Sequence, residues 1–347
     1  MNTAPEIAVL CGAVSPEREV SLRSGKAVAD ALRETGAHHV SLLRLDTNTL
    51  PARLDPARHI VFPVIHGDYG EDGGIQSELE ARGFAYAGCG AAASRVCIDK
   101  AAARERFVAA GAQVAPAVVF NFSNAPSASE LVRRLGTDSV VVKPVAKGSS
   151  VGLHIVRGEA ALAAALVVAA EEDRRDGAGE WLAEARVFGR EMTIGILGGE
   201  PLGIVEICPK SGHYDYTTKY TYGASEYIFP AEVPPETAAA AARAAAAIFA
   251  ACGCRDFARA DFILGSPETP AATTAATAAA SAPAVVFLEI NTMPGMTATS
   301  LLPKSASCCG IGFARLCALM LAPALRRFGE LRAAAAKLSP PALAKNK

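Results

Sequence analysis

Two short segments in the C-terminal half alternate apolar and polar residues so regularly that a pair of half-buried β-strands is the structure that satisfies them. In VVFLEIN (Val285–Asn291) an acid and an amide stand two residues apart, and in FARADFIL (Phe257–Leu264) an arginine and an aspartate do the same. Successive strand side chains point to opposite faces, so Glu289 and Asn291 project together while Leu288 and Ile290 are expected to face the core. Arg259 and Asp261 likewise share a face. Read singly, each segment is a strand whose polar residues face water. Paired, they would gather Asp261, Glu289, Asn291 and Arg259 into one pocket, and oxygen ligands on a rigid edge suit a hard cation such as magnesium. The Met-Pro-Gly-Met turn that follows Thr292 favours the paired reading.

At 347 residues the chain exceeds one comfortable core, and two or three domains are expected. A formal net charge of -1 leaves no basic field for nucleic acid or an anionic membrane, so the expected partner is a small molecule. Two alanine-rich runs need placing. AALAAALVVAA is too short for a bilayer, and AAAAARAAAAIFAACGC carries Arg243, so both read as helices of a soluble protein. The N-terminus has Glu6 beside IAVL and no basic region leading into a long apolar stretch and cleavage site; a cytoplasmic location is expected. The nine cysteines lack repeated CxxC pairs and histidines at zinc-site spacing, although Cys252 stands near Cys254 and Cys308 beside Cys309. Buried, reduced thiols are the expectation.

IAVLCG (Ile7–Gly12) reads as a strand running into a helix, with Ser15 expected as N-cap, Pro16 at the first helical position and Glu17 in the first turn. Strand patterns recur at HVSLLRL and HIVFPVIHG. The first hundred residues therefore predict an open, mostly parallel α/β sheet with active residues at the carboxyl ends of its strands. Boundaries near 98 and 183 divide the chain into an N-terminal α/β unit (1–98), a central unit (99–183), a C-terminal unit with the cation pocket (184–325) and a terminal helix and tail (326–347). The low-complexity stretch from Ser266 to Pro283 reads as an exposed extension between the two pocket strands. IGFARLCALMLAPALRRFGELR reads as amphipathic helices closing the fold.

Three further segments carry chemistry. SVVVKPVAKGSSVGLHIV puts Lys143 at a strand end and Lys147, Gly148, Ser149, Ser150 and Gly152 in a loop whose backbone N–H groups can close over phosphates, without matching GxxxxGK[ST] or GxGxxG. HGDYGEDGGIQ (His66–Gln76) follows a strand and reads as a solvated loop or a site loop. GHYDYTTKYTYG (Gly212–Gly223) is too polar for a core strand and reads as a mobile lid or a surface loop.

Six motifs, SPEREVSL, HGDYGEDG, KP...KGSSVG, YDYTTKY, RADF and EINTMPGMT, occur in one order from residue 7 to about 303, and together the chain resembles the D-alanine:D-alanine ligases of the ATP-grasp superfamily. The resemblance implies a pre-ATP-grasp open sheet followed by a two-part ATP-grasp α+β fold, and ATP-driven joining of two D-alanine molecules through an acyl phosphate for peptidoglycan precursor synthesis. By resemblance, Asp261, Glu289 and Asn291 hold two magnesium ions, with manganese a possible substitute. Lys100, Lys143 and Lys219 contact the ATP phosphates together with the Gly148–Ser150 loop, and Glu184, Val187 and Glu191 hold adenine and ribose. Arg259 and the Gly295 N–H stabilise the oxyanion. Glu17, linked through Ser149 and Tyr220, binds the ammonium of the first D-alanine. Ser300 and Leu301 receive the second carboxylate, with His66 beside that subsite. The resemblance further implies a homodimer. Ala13 departs from the second glycine usual before the Glu17 helix, and Ala185 and Arg186 stand where a lysine and an aromatic are common. A D-alanine:D-lactate or D-alanine:D-serine ligase is the nearest rival reading, against which Tyr220 within YTTKY speaks. A nucleotide-binding protein without catalysis is the rival of another class, against which the filled acidic, amide and arginine positions speak.

Overall fold

The computed structural model describes residues 4–149, 151–177, 179–210, 224–266, 283–297 and 299–338. Ser150, Lys219 and Tyr220, the aromatic segment around them and most of the alanine-threonine stretch lie outside the described residues.

The chain begins as its apolar runs predict. Strand β1 (Glu6–Gly12), helix α1 (Arg18–Glu34), β2 (Val40–Leu45) and β3 (His59–Val64) build a parallel sheet ordered β2-β1-β3. Ile7 to Cys11 and Ile60 to Val64 are buried throughout, which is why they read as continuous apolar runs rather than alternating ones. The expected cap differs. Helix α1 starts at Arg18 with Glu17 in the N-cap position, and Ser15 Oγ accepts the Glu17 N–H at 2.9 Å instead of capping the helix itself. The cause lies just upstream: Ala13 adopts φ 67°, and the Arg18 N–H closes a turn on the Ser15 carbonyl at 3.1 Å, so residues 15–17 are turned rather than helical. Glu17 is thereby delivered, 6 % exposed, to the carboxyl end of the sheet.

Beyond β3 come α2 (Asp68–Glu71), α3 (Gly74–Ala81), α4 (Ala91–Ile98) and α5 (Lys100–Ala109). Gly70 in α2 lies against the end of β3, and an added Cβ would meet the Ile65 carbonyl oxygen at 1.7 Å. Gly70→Ala is therefore expected to destabilise the protein by about 1–3 kcal/mol through overpacking, read as a lowered denaturant midpoint; an unchanged midpoint would contradict this close approach. Asp99 caps α5 by accepting the Ala102 N–H at 2.9 Å. Phe107 of α5 then packs edge-on against Phe287 at 6.3 Å, so the helix shares a core with the C-terminal strands.

A four-stranded antiparallel sheet follows, built from β4 (Ala117–Phe120), β5 (Ser139–Pro144), β6 (His154–Arg157) and β7 (Trp181–Ala185) in the order β4-β7-β5-β6. Helices α6 (Ala128–Leu135) and α7 (Glu159–Asp176) pack on it over Leu131, Leu162 and Trp181. Residue 183, where sequence patterning put a boundary, falls inside β7, whose full length pairs with β5.

The third sheet runs β10-β9-β8-β11-β12, antiparallel throughout, from β8 (Gly189–Leu197), β9 (Glu200–Pro209), β10 (Ser225–Ile228), β11 (Phe257–Gly265) and β12 (Val285–Asn291), with α8 (Pro235–Ala251) on one face. The two alternating strands do pair: Arg259 lies opposite Asn291 and Asp261 opposite Glu289. One detail of the alternation fails. The register shifts between Asp261 and Phe262, so Phe262 pairs with Phe287 and Leu288 is left as the extra residue of a bulge. Leu288 consequently lines a cavity beside Glu289 instead of facing the core, whereas Ile290 is buried. After α9 (Leu301–Ser307), the terminal segment is one helix, α10 (Phe313–Leu338), rather than several. Pro323 sits inside it. Leu316, Met320, Ala324 and Phe328 on one stripe pack against the N-terminal sheet core, and this shared burial outweighs the lost backbone bond at the proline.

Candidate active site

Two cavities, of about 600 and about 490 Å³, lie side by side and share Lys100, Gly148, Ser149 and Glu289 as lining. Of the described residues singled out from sequence, Glu17, His66, Arg259, Asn291, Gly295, Ser300 and Leu301 line the larger. Lys143, Glu184, Val187, Glu191 and Asp261 line the smaller. Residues up to 287 positions apart in the chain (Glu17 and Lys304) thus reach one cavity because the carboxyl end of the parallel sheet faces the β12 edge.

The wall between the cavities carries the densest charge. Arg259 clasps Asp261 bidentately, Nε to Oδ1 at 2.8 Å and Nη2 to Oδ2 at 2.7 Å, and Thr193 Oγ1 donates to Oδ1 at 2.5 Å. Arg259 faces the larger cavity and Asp261 the smaller, so the pair spans the partition. A carboxylate offers about four acceptor positions, of which these donors use three; one remains for a cation. Asn291 Oδ1 accepts the Met293 N–H at 2.8 Å, which aims the amide and keeps a second lone pair available. Among the described residues no group of three His, Cys, Asp or Glu side chains is arranged as a metal cage. Two carboxylates and an amide on adjacent strands instead fit a cation that takes its remaining ligands from phosphate and water, the habit of magnesium.

In the smaller cavity Lys143 Nζ meets Glu184 Oε1 at 2.5 Å, and Arg104 Nη1 meets Glu184 Oε2 at 3.1 Å. Arg104 also donates to the Ala115 carbonyl. Burial pushes the Glu184 carboxyl up, but Lys143 and Arg104 outweigh it and hold the group below the usual carboxylate range. Glu184 thus fixes a cation at the strand end. Lys100 Nζ donates to the carbonyls of Lys147 at 2.6 Å and Val145 at 3.4 Å, tying the start of α5 to the Gly/Ser loop. That loop reaches the other side through Ser149, which has φ 52° and whose hydroxyl donates to Glu17 Oε1.

Beneath the larger cavity, His66 Nδ1 lies 3.1 Å from the Met293 carbonyl and Nε2 lies 3.3 Å from Ser24 Oγ, which also accepts the Met296 N–H at 3.2 Å. His66 and Ser24 therefore hold the Met-Pro-Gly-Met turn from below and set where the Gly295 N–H sits. At the far wall Ser300 Oγ accepts the Thr297 N–H at 2.9 Å, just ahead of α9.

Sequence reasoning missed Glu71, Arg104, Ser24 and Thr193. Glu71 sat inside the quoted HGDYGEDG motif, but only helix α2 turns it inward, away from Asp68 and Asp72, to within 3.8 Å of His66. Burial raises its carboxyl pKa; His66 works against this and Glu17 adds to it. A folded-state pKa above the unfolded one means stability that is present at low pH and lost as pH rises through the raised value. Glu71→Gln removes that loss, so the variant's melting temperature should gain on the wild type from about pH 4 upward, and parallel curves between about pH 4 and pH 8 would refute it. Arg104 and Thr193 carried no sequence signal beyond helical and strand periodicity.

The family model described as "D-ala D-ala ligase C-terminus" matches residues 107–322. The chain is similar to the D-alanine--D-alanine ligase of Anaeromyxobacter dehalogenans (strain 2CP-1), 40% identical over 320 residues, 92% of this chain and 96% of the relative. It is equally similar to that of Acidiphilium cryptum (strain JF-5), 40% identical over 322 residues, 91% of this chain and 97% of the relative. Among solved structures it resembles the D-alanine--D-alanine ligase of Bacillus anthracis complexed with ATP, with a TM-score of 0.76 and 26% identity over 94% of this chain and 99% of that one. The VanG D-Ala:D-Ser ligase of Enterococcus faecalis is as close in fold, with a TM-score of 0.76 and 27% identity over 93% of this chain and 100% of that one.

Proposed function

Because this chain belongs to the D-alanine--D-alanine ligase family, we propose that its two cavities divide one reaction between them, ATP in the smaller and the amino acids in the larger. The enzyme joins two D-alanine molecules at the expense of ATP, releasing ADP and phosphate, and so supplies the dipeptide for peptidoglycan synthesis. A carboxylate is a poor electrophile; phosphorylation converts it to an acyl phosphate with a good leaving group, which the second amine then attacks.

The part the family reading gives each residue is supported by its surroundings. Glu17, steadied by Ser149, binds the ammonium of the first D-alanine. Lys143, held by Glu184, and Lys100, beside the Gly148 loop, grip the phosphates, while Val187 and Glu191 line the nucleoside end. Arg259 and the Gly295 N–H stabilise the oxyanion of the tetrahedral stage. Ser300 and Leu301 at the start of α9 receive the second carboxylate, with His66 and Glu71 beside that subsite. Asp261, Glu289 and Asn291 are the residues that would hold two magnesium ions, or manganese, whose chemistry when bound is to neutralise charge on the transferring phosphoryl group. Lys219, Tyr220 and Ser150 are assigned with them to the phosphates and the closing lid by the same family reading.

The observation that carries this reading is the shared wall: Glu289 lines both cavities, and Arg259 and Asp261, clasped together, line one each. A homodimer, a cytoplasmic location and a division into units at 1–98, 99–183, 184–325 and 326–347 complete the proposal; among the described residues no helix is long and apolar enough to cross a membrane. The test is phosphate release from ATP and magnesium with D-alanine alone and with D-alanine together with L-alanine, D-serine or D-lactate. D-Alanine alone should give rapid release and dipeptide. Preference for D-serine or D-lactate as the second substrate would favour the rival ligase reading, and no release with any of them would overturn both.

A further inference from the structure

Four thiols meet where α4 abuts the loop that follows α8. Cys97 Sγ lies 3.5 Å from Cys254 Sγ, across 157 positions of sequence. Cys252 lies close enough to perturb the Cys97 thiol, and Cys89, whose Sγ donates to the Arg255 carbonyl at 3.2 Å, perturbs that of Cys254. All four are free thiols, and neither the family motifs nor the reaction uses them. No set of three among the described residues is arranged to hold a metal, so the cluster is not a soft-metal cage. Two features set one pair apart. Cys254 is the partly exposed member, whereas Cys89, Cys97 and Cys252 are buried, so an oxidant reaches Cys254 first. Cys97 lies on the penultimate turn position of α4 and lines the amino-acid cavity, two residues before Asp99 caps α5 and three before Lys100 ties that helix to the Gly/Ser loop.

We propose that Cys97 and Cys254 form an oxidisable dithiol whose disulfide blocks the ligase. The oxidant is a low-molecular-weight disulfide, RSSR. The Cys254 thiolate attacks one sulfur of RSSR and expels RS⁻, giving a mixed disulfide; Cys97, as thiolate, then attacks the Cys254 sulfur and expels the second RS⁻. Two protein thiols lose two electrons and two protons, and RSSR becomes two RSH. The sulfurs must close from 3.5 Å to about 2.05 Å, which draws the end of α4 toward the C-terminal unit and disturbs the cavity wall and the Asp99–Lys100 junction. Cys252 beside it and burial push the Cys97 thiol up, although Cys254 works against this; at Cys254 the influence of Cys89 is downward, but Cys97 and burial outweigh it and push the thiol up. Both are therefore thiols near neutral pH, and the pair responds slowly, to a sustained oxidising shift.

The experiment treats the full-length protein with oxidised glutathione, maps non-reduced peptides by mass spectrometry and assays turnover before and after dithiothreitol. A Cys97–Cys254 cross-linked peptide should accompany a fall in turnover of about tenfold or more, reversed by dithiothreitol, because the bridge acts on the α4 end that leads to Lys100. Cys254→Ser should keep basal turnover and resist the oxidant, and Cys252→Ser should still form the bridge, which keeps the test decisive if one variant folds poorly. The loss of turnover rests on the ligase reading; the bridge, read by mass, does not. Absence of that cross-link, a bridge to Cys252 or at Cys308–Cys309 in its place, unchanged turnover once it has formed, or equal sensitivity of Cys254→Ser would each overturn the proposal.

Discussion

Arg259→Met is expected to lower kcat by about two to three orders of magnitude, the usual consequence of removing one donor aimed at a developing oxyanion. The same change strips Asp261 of both guanidinium bonds at a site where the two residues are 9% and 5% exposed, and breaking a buried pair from one side costs about 3–5 kcal/mol. Stability and chemistry must be separated. The double variant Arg259→Met with Asp261→Asn removes the stranded charge, so it should recover much of the melting temperature and none of the turnover. Arg259→Lys keeps a charge but cannot form the two-pronged clasp, and its kcat should fall between the wild type and Arg259→Met. Turnover of Arg259→Met within about threefold of wild type would remove Arg259 from the reaction, because an oxyanion donor is worth more than that.

The second large effect lies at Glu184. Glu184→Ala leaves Lys143 and Arg104 facing each other without their common carboxylate, at 4% exposure for Glu184, and is expected to destabilise the fold by about 3–5 kcal/mol and to raise the KM for ATP. Its pH dependence has a definite sign. Lys143 and Arg104 hold the Glu184 carboxyl below the usual range despite burial, so its contribution is present above the unfolded carboxyl's pKa of about 4.3 and is lost as pH falls through the depressed folded value. The difference in unfolding free energy between wild type and Glu184→Gln, taken from urea titrations, should hold steady near neutrality and shrink below about pH 4.3. A gap that grows on acidification would reverse the assignment.

Much of the architecture was legible from side-chain periodicity. The strand and helix patterns that follow one another through the first hundred residues announced an open, mostly parallel sheet, and the alternation in FARADFIL and VVFLEIN announced partners that do pair with Asp261 opposite Glu289. Alternation has a fixed period of two, so it could not foresee the bulge that turns Leu288 into a cavity residue. Nor could capping preference see that the positive φ of Ala13 shifts the start of α1 from Ser15 to Glu17.

The residue types of the site, an arginine and an aspartate two apart, an acid and an amide two apart, and a lysine at a strand end, were determined by the sequence alone, because strand geometry puts such neighbours on one face whatever the rest of the chain does. Which of three acids in HGDYGEDG turns inward, that Arg104 shares Glu184 with Lys143, and that Cys97 meets Cys254 were decided only by the tertiary structure. Those contacts join residues 5 to 157 positions apart, and nothing local distinguishes a side chain that will find such a partner from one that will face water.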